Sequence, residues 1–322
     1  MADKPSRALV IYGDGIAPLV LSSHGNLHSF ASRAACGFLS LRASHPSETE
    51  DERVTRDLSQ LLDAYDFYLS EKNDATEANA DLCSISKRFM GLRAAMVTSS
   101  PCVESFGRKL GFSILHYNEL LKHHNSHSET SQEVPDNSAI VSEWLRLLGF
   151  LESNVLDNYD FDLLFLHIHS SEKLKEKKCI VASDIDVDRL NDLVGEIMGK
   201  ANPRSAISSR LHFSIVLSYG SFSKDQKLYS LISSPLTQMN SDLSLLRPKQ
   251  SYCIKGGHML NDIRHHHPML IAQLQEGVTR RDMAKAFSFE EFKENGANLA
   301  ILSDRFLHEI AFKLWKAPKY GA

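Results

Sequence analysis

Asp14 stands between two glycines in the segment Leu9-Val10-Ile11-Tyr12-Gly13-Asp14-Gly15, and a carboxylate flanked by residues without side chains is open to a ligand. The apolar run before it reads as a buried strand, so Asp14 falls at a strand's C-terminal end, where open α/β sheets gather their chemistry. The plainer alternative is a turn-forming aspartate in an ordinary Gly-Asp-Gly loop. Histidine is the other ligand-bearing type in excess. The chain has 15, with His265, His266 and His267 contiguous, His258 just upstream, and His123, His124 and His127 in a polar stretch. Neutral imidazoles bind zinc or nickel, although a histidine cluster is equally at home in a solvent-facing loop. His167 and His169 alternate along an apolar run, which puts both side chains on one face of a strand. The expected role there is structural, with orientation of a ligand as the alternative.

The elements that must position these groups alternate between short apolar runs and helical stripes. Ala8–Tyr12, Cys36–Arg42, Leu92–Ser99, Asp160–Ser171 and Leu211–Ser221 read as buried strands, with a further short one in Tyr252–Gly257. Helices are expected over Asn26–Ala35, Leu58–Tyr68, Leu82–Met90, after Pro101, over Ala139–Leu156, over Ser183–Met198 with Ser183 as N-cap, and over Asn298–Lys316 at the end. Polar stretches near residues 43–57, 71–81 and 122–138 read as loops, the last long enough to be mobile. This alternation predicts an α/β class with a mostly parallel central sheet and helices on both faces.

Composition narrows the function classes. At 43% hydrophobic and 24% charged the 322 residues can bury a large core, which excludes disorder. Basic and acidic residues number 36 and 40, so the net charge is 36 − 40 = −4 with the basic groups dispersed, and no nucleic-acid partner is expected. No apolar run approaches the ~18 residues of a membrane helix, and the opening MADKPSRALVIYGDG lacks the pattern of a signal peptide. A cytoplasmic protein without membrane contact is therefore expected. Five cysteines without C-x-x-C spacing are expected to be reduced and mostly buried.

Four stretches carry a resemblance to a known family. LVIYGDGIA resembles a first strand with its metal-binding aspartate, HGNLHSFASRAACGFLSL the following helix and strand, NYDFDLLFLHIHSSEKLK a characteristic histidine-isoleucine strand, and HPMLIA through ANLAILSDRFLHEIAFKL a closing strand and helix. In order and pattern the chain is similar to the alkaline phosphatase superfamily, and within it to archaeal-type cofactor-independent phosphoglycerate mutases. The resemblance implies an alkaline-phosphatase-like fold over residues 1–322 as one domain. It also implies that the lid domain these mutases insert is missing or vestigial here.

It further implies a site in which two divalent metals neutralise charge during in-line phosphoryl transfer. Asp14 matches the first metal-binding aspartate. Ser47 is the nucleophile candidate, in an acidic loop. Glu172 and Glu176 fall where the family supplies an aspartate and a histidine, and as oxygen donors they suit magnesium or manganese. His265, His266 and His267 lie near the family's final metal histidine. The adjacent aspartate-histidine pair, however, falls on Tyr219 and Gly220, neither a usual ligand, and a cation without fixed donors cannot be held.

Two functions from different classes follow, with a third on composition alone. The favoured one is a phosphoglycerate-mutase-like protein with a degenerate site, a non-catalytic binding or scaffolding protein that needs no cofactor and takes a small phosphate ester or a protein partner. The alternative is a metal-dependent phosphohydrolase or phosphomutase, using manganese or magnesium, or else zinc. The third is a histidine-rich metal-handling protein.

Overall fold

Strand β1 (Arg7–Asp14) is buried along its whole length. Leu9 and Ile11 join one apolar cluster while Ala8, Val10 and Tyr12 join another, so the strand has no solvent face and must lie inside a sheet covered on both sides. The computed structural model, which describes residues 6–45, 47–72, 84–116, 136–151, 154–169, 186–220, 241–297 and 299–318, shows that sheet. It consists of β1 with β2 (Ala35–Arg42), β3 (Ala94–Val97), β4 (Ser113–Leu115), β7 (Leu163–His169), β8 (Leu211–Leu217), β11 (Ile263–Leu274) and β12 (Ala300–Leu302), in the order β12-β2-β11-β8-β1-β7-β3-β4. Only β11 runs against the rest. Two small hairpins lie outside it, β5 with β6 (Phe150–Leu151, Asn154–Val155) and β9 with β10 (Ile254–Lys255, His258–Met259).

Helices α1 (Gly25–Arg33), α6 (Asn137–Leu147), α7 (Val187–Lys200) and α9 (Phe289–Asn295) bury their apolar stripes on one face. Helices α2 (Glu50–Leu61), α3 (Tyr65–Lys72), α4 (Ile85–Arg88), α5 (Pro101–Lys109) and α10 (Phe306–Lys313) cover the other, and a short α8 (Ala206–Arg210) leads into β8. The α/β class, the mostly parallel sheet and the two covered faces are as the sequence predicts. Among the described residues no helix is long and apolar enough to cross a membrane.

Several boundaries differ, each for a local reason. The stretch expected as a loop over 43–57 contains most of α2, because Thr49 and Glu52 form a capping box: the Thr49 hydroxyl accepts from the Glu52 N–H, and the Glu52 carboxylate accepts from the Thr49 N–H at 2.8 Å. The helix expected over 139–156 stops at Leu147, since Gly149 takes φ +72° and a β-carbon there would meet the Tyr159 side chain at 2.5 Å. The closing helix begins only at Phe306. Ala300 and Leu302, buried two residues apart, belong instead to β12 beside β2. Asp186, not Ser183, caps α7, and residue 183 lies outside the described residues. Of the described cysteines Cys36 is buried while Cys102 and Cys253 are half-buried.

Candidate functional site

Strands β7, β1 and β8 lie side by side and parallel, in a register that pairs Asp14 with His169 and Gly13 with Leu217. Their C-terminal ends therefore present Asp14, His169 and Ser218 at one level. Asp14 and Tyr12 project from the same face of β1, as His167 and His169 do from β7, and that face is the one α2 covers. The capping box starts α2 in time to bring Glu50, Arg53 and Asp57, three and four residues apart, over these strand ends.

Asp14 is completely buried, and both its oxygens are engaged. Oδ1 accepts from Ser218 Oγ at 2.6 Å, from Arg53 Nη1 at 3.1 Å and from Tyr12 Oη at 3.2 Å. Oδ2 accepts from Arg53 Nη2 and from His169 Nδ1, the latter at 2.9 Å, which places the imidazole proton on Nδ1. Arg53 in turn donates to Glu50 from Nε and Nη2, at 3.0 and 2.7 Å, and to Asp57 at 3.2 Å. Burial alone would push the Asp14 carboxyl up, but the His169 hydrogen bond and the Arg53 charge outweigh it and hold it well below the usual carboxylate range. Burial would likewise lower Arg53, yet its bonds to Glu50 and Asp14 raise it further. His167 sits between Tyr12 and His169, is buried and bonded to Thr98 Oγ1 at 3.0 Å, and burial depresses it to about 4, so it is neutral.

Asp14, Glu50 and His169 are, among the described residues, the set whose ligand atoms lie close enough to share a cation, within 4.8 Å of one another. The metal implied by the resemblance does not fit this arrangement. An ionised carboxylate offers about four lone-pair directions, and Asp14 already receives the five contacts just described, two from a guanidinium lying where a cation would have to approach.

A cleft of about 270 Å³ opens beside this cluster, walled by Glu50, Arg53, Arg56, Arg264, His266 and His267. Arg56 is buried and paired with Glu48 and Asp57, but its Nη2 has no hydrogen-bond partner, nor does Arg264 Nε or Glu48 Oε2. Burial lowers the Arg264 guanidinium from its ordinary value.

Of the other described residues singled out from the sequence, only His169 bonds to Asp14. Ser47 is exposed and bonds locally to His45 Nδ1 at 2.9 Å. Glu172 and Glu176, like His123, His124 and His127, lie outside the described residues. The three consecutive histidines straddle an irregularity in β11 between Arg264 and Met269 and do not converge: His265 Nδ1 meets Tyr252 Oη at 2.6 Å, His266 faces Asp242 at 3.4 Å, and the His267 ring lies over Tyr219. Gly220 has φ +70°, and a β-carbon there would meet the Gly15 α-carbon at 2.9 Å, so this backbone leaves no room for a ligand side chain.

The sequence assigns no site role to Arg53 or Ser218, leaves Glu50 in the acidic loop beside Ser47, and gives His169 a structural role with orientation of a ligand as the alternative. The signal available was Thr49-x-x-Glu52, which starts the helix at residue 50 and turns Glu50, Arg53 and Asp57 into one charged face.

No protein-family profile matches the chain, and no curated protein matches it. Among solved structures it is similar to the PH0037 protein from Pyrococcus horikoshii, at 11% identity over 99% of each chain with a TM-score of 0.55. Similar structures also include alkaline phosphatase superfamily members. A cofactor-independent phosphoglycerate mutase from Thermoplasma acidophilum aligns at 9% identity over 96% of this chain and 99% of that one, with a TM-score of 0.42. A protein of the superfamily from Vibrio parahaemolyticus aligns at 9% identity over 86% and 61%, also at 0.42. At such identities the likeness concerns the fold alone, and no residue's role is carried over from it.

Proposed function

We propose that this chain is a non-catalytic binding protein, one domain over residues 1–322, in which a phosphoesterase-like sheet has exchanged metal chemistry for recognition of a small phosphate ester. The observation that carries the reading is the closure of both Asp14 oxygens by Arg53, Ser218, Tyr12 and His169. A two-metal mechanism needs cations held by open donors, and here the carboxylate best placed to supply one is saturated. The neighbouring cleft suits an anion because Arg53, Arg56 and Arg264 wall it, and at that wall the buried Arg56 Nη2 and Arg264 Nε have no hydrogen-bond partner, nor does Glu48 Oε2. A charge-assisted bond to either guanidinium is worth about 1.5–3 kcal/mol.

The test is calorimetric titration with glycerol phosphate in the presence of EDTA, alongside turnover of a generic phosphate monoester in manganese. Chelator-resistant binding that weakens in Arg264→Gln, with no Asp14-dependent turnover, is expected. Turnover abolished by Asp14→Ala would overturn the reading. The second reading, a metal-dependent phosphohydrolase using manganese, magnesium or zinc, draws on the proximity of Asp14, Glu50 and His169. It requires Arg53 to vacate the site.

A further inference from the structure

We infer that Arg53 is the built-in cation of this site, standing where a divalent ion would otherwise sit, and that removing it uncovers a metal site made by Asp14, Glu50 and His169. The inference rests on the preceding reading only in taking the unaltered site to be metal-free.

Three observations converge on it. First, the guanidinium is surrounded by carboxylates: it contacts Asp14, Glu50 and Asp57, and these contacts engage Nε, Nη1 and Nη2 alike. Second, Arg53 brings the cluster closer to neutrality. Asp14, Glu50 and Asp57 bring three negative charges, and Arg53 and Arg56 two positive ones, a net of −1. Without Arg53 a net charge of about −2 would remain next to a fully buried aspartate, and a buried charge without a partner demands one. Third, the donors left behind form a usable set. Two carboxylates and an imidazole match zinc or manganese preferences. At metal–ligand distances of about 2.0–2.2 Å, two ligands of one ion lie roughly 3–4 Å apart, so atoms already within 4.8 Å need only small side-chain adjustments. His169 faces Glu50 Oε1 with Nε2, at 4.0 Å, and Asp14 Oδ2 with Nδ1, at 2.9 Å, so the imidazole lies between the two carboxylates.

The experiment measures zinc and manganese content after dialysis, and the shift of the unfolding midpoint on adding either ion, for the full chain and for Arg53→Ala, Arg53→Lys and Arg53→Ala/His169→Ala. The unaltered protein and Arg53→Lys are expected to retain no stoichiometric metal and to show no shift. Arg53→Ala is expected to bind one equivalent and to be stabilised by it, with affinity falling about 10- to 100-fold when His169 is also removed. Should Arg53→Ala be unfolded as isolated, it is refolded with zinc present, and recovery of native circular dichroism in zinc but not in EDTA supports the inference. Stoichiometric metal in the unaltered protein, no metal on folded Arg53→Ala, or no recovery in zinc would each overturn it. Failure here leaves phosphate-ester binding in the cleft unaffected, so the two readings fall separately.

Discussion

Arg53 and Asp14, 39 residues apart in the chain, meet as a two-bonded ion pair in which the carboxylate is wholly buried and the arginine only 6% exposed. The pair ties the first turn of α2 to the end of β1, and through Ser218 and His169 to the ends of β8 and β7. Replacing Arg53 with methionine takes the guanidinium from buried Asp14 and leaves Asp57 with Arg56 alone, and a loss of about 3–5 kcal/mol is expected. Asp14→Asn in the same background should cost less than it does alone, with a coupling of about 1 kcal/mol or more. Urea unfolding of the two single variants and the double variant measures it, and additive costs would show that the pair is not coupled.

Acid sensitivity above pH 4 should come from buried histidine. His167 is held at about 4 by burial, and burial also places His212 below its ordinary value. As pH falls from about 6.5 toward 4 the unfolded chain takes up the proton that native His167 refuses, so stability decreases, by up to about 1.4 kcal/mol per pH unit for one such group. Asp14 is shifted in the same sense but in a lower window: its lowered value gives stability that is present above the ordinary carboxylate pKa and lost only as pH falls further. Urea midpoints from pH 4 to 6.5 should therefore slope less steeply in His167→Gln than in the unaltered protein. Equal slopes would remove His167 from the account.

The capping box can be weighed by itself. Thr49→Ala deletes the hydroxyl that accepts from the Glu52 N–H and should lower stability by about 1 kcal/mol. Thermal unfolding reads the loss, and a midpoint equal to that of the unaltered protein would mean that packing alone starts α2.

Gly220→Ala probes the close approach of two strand ends. The residue needs φ +70° and the new methyl would press on the Gly15 backbone, for a cost of roughly 1–3 kcal/mol. If chemical denaturation finds the variant within about 0.5 kcal/mol of the unaltered protein, the turn after β8 yields more readily than its geometry implies.

The sheet was legible in the sequence because its central strands have no solvent face: runs such as Leu163–Ile168 and Leu211–Leu217 are mostly apolar and are buried on both sides. Asp14 was legible for a related reason, since a strand that long must end where the glycines begin. The rest of the site was not. Arg53 lies in a stretch so polar that it reads as a surface loop, and only the side-chain capping of Thr49 by Glu52 reveals a helix there. Polar residues that pair with one another leave no apolar period, so buried charge networks look like solvent-facing segments. The histidine excess pointed elsewhere: His265 and His266 are exposed, whereas the imidazole that reaches Asp14 belongs to a strand.

Arg53 covers Asp14 from a helix whose other side packs Val54, Leu58 and Leu61 into the core, so lifting of α2 would open that carboxylate to solvent. Opening such a unit is a partial unfolding event, governed by the free energy of the helix and not by the swing of a loop. Amide exchange along α2 would thus follow the same equilibrium as access to Asp14, which makes the helix a reporter of how tightly the strand ends are sealed.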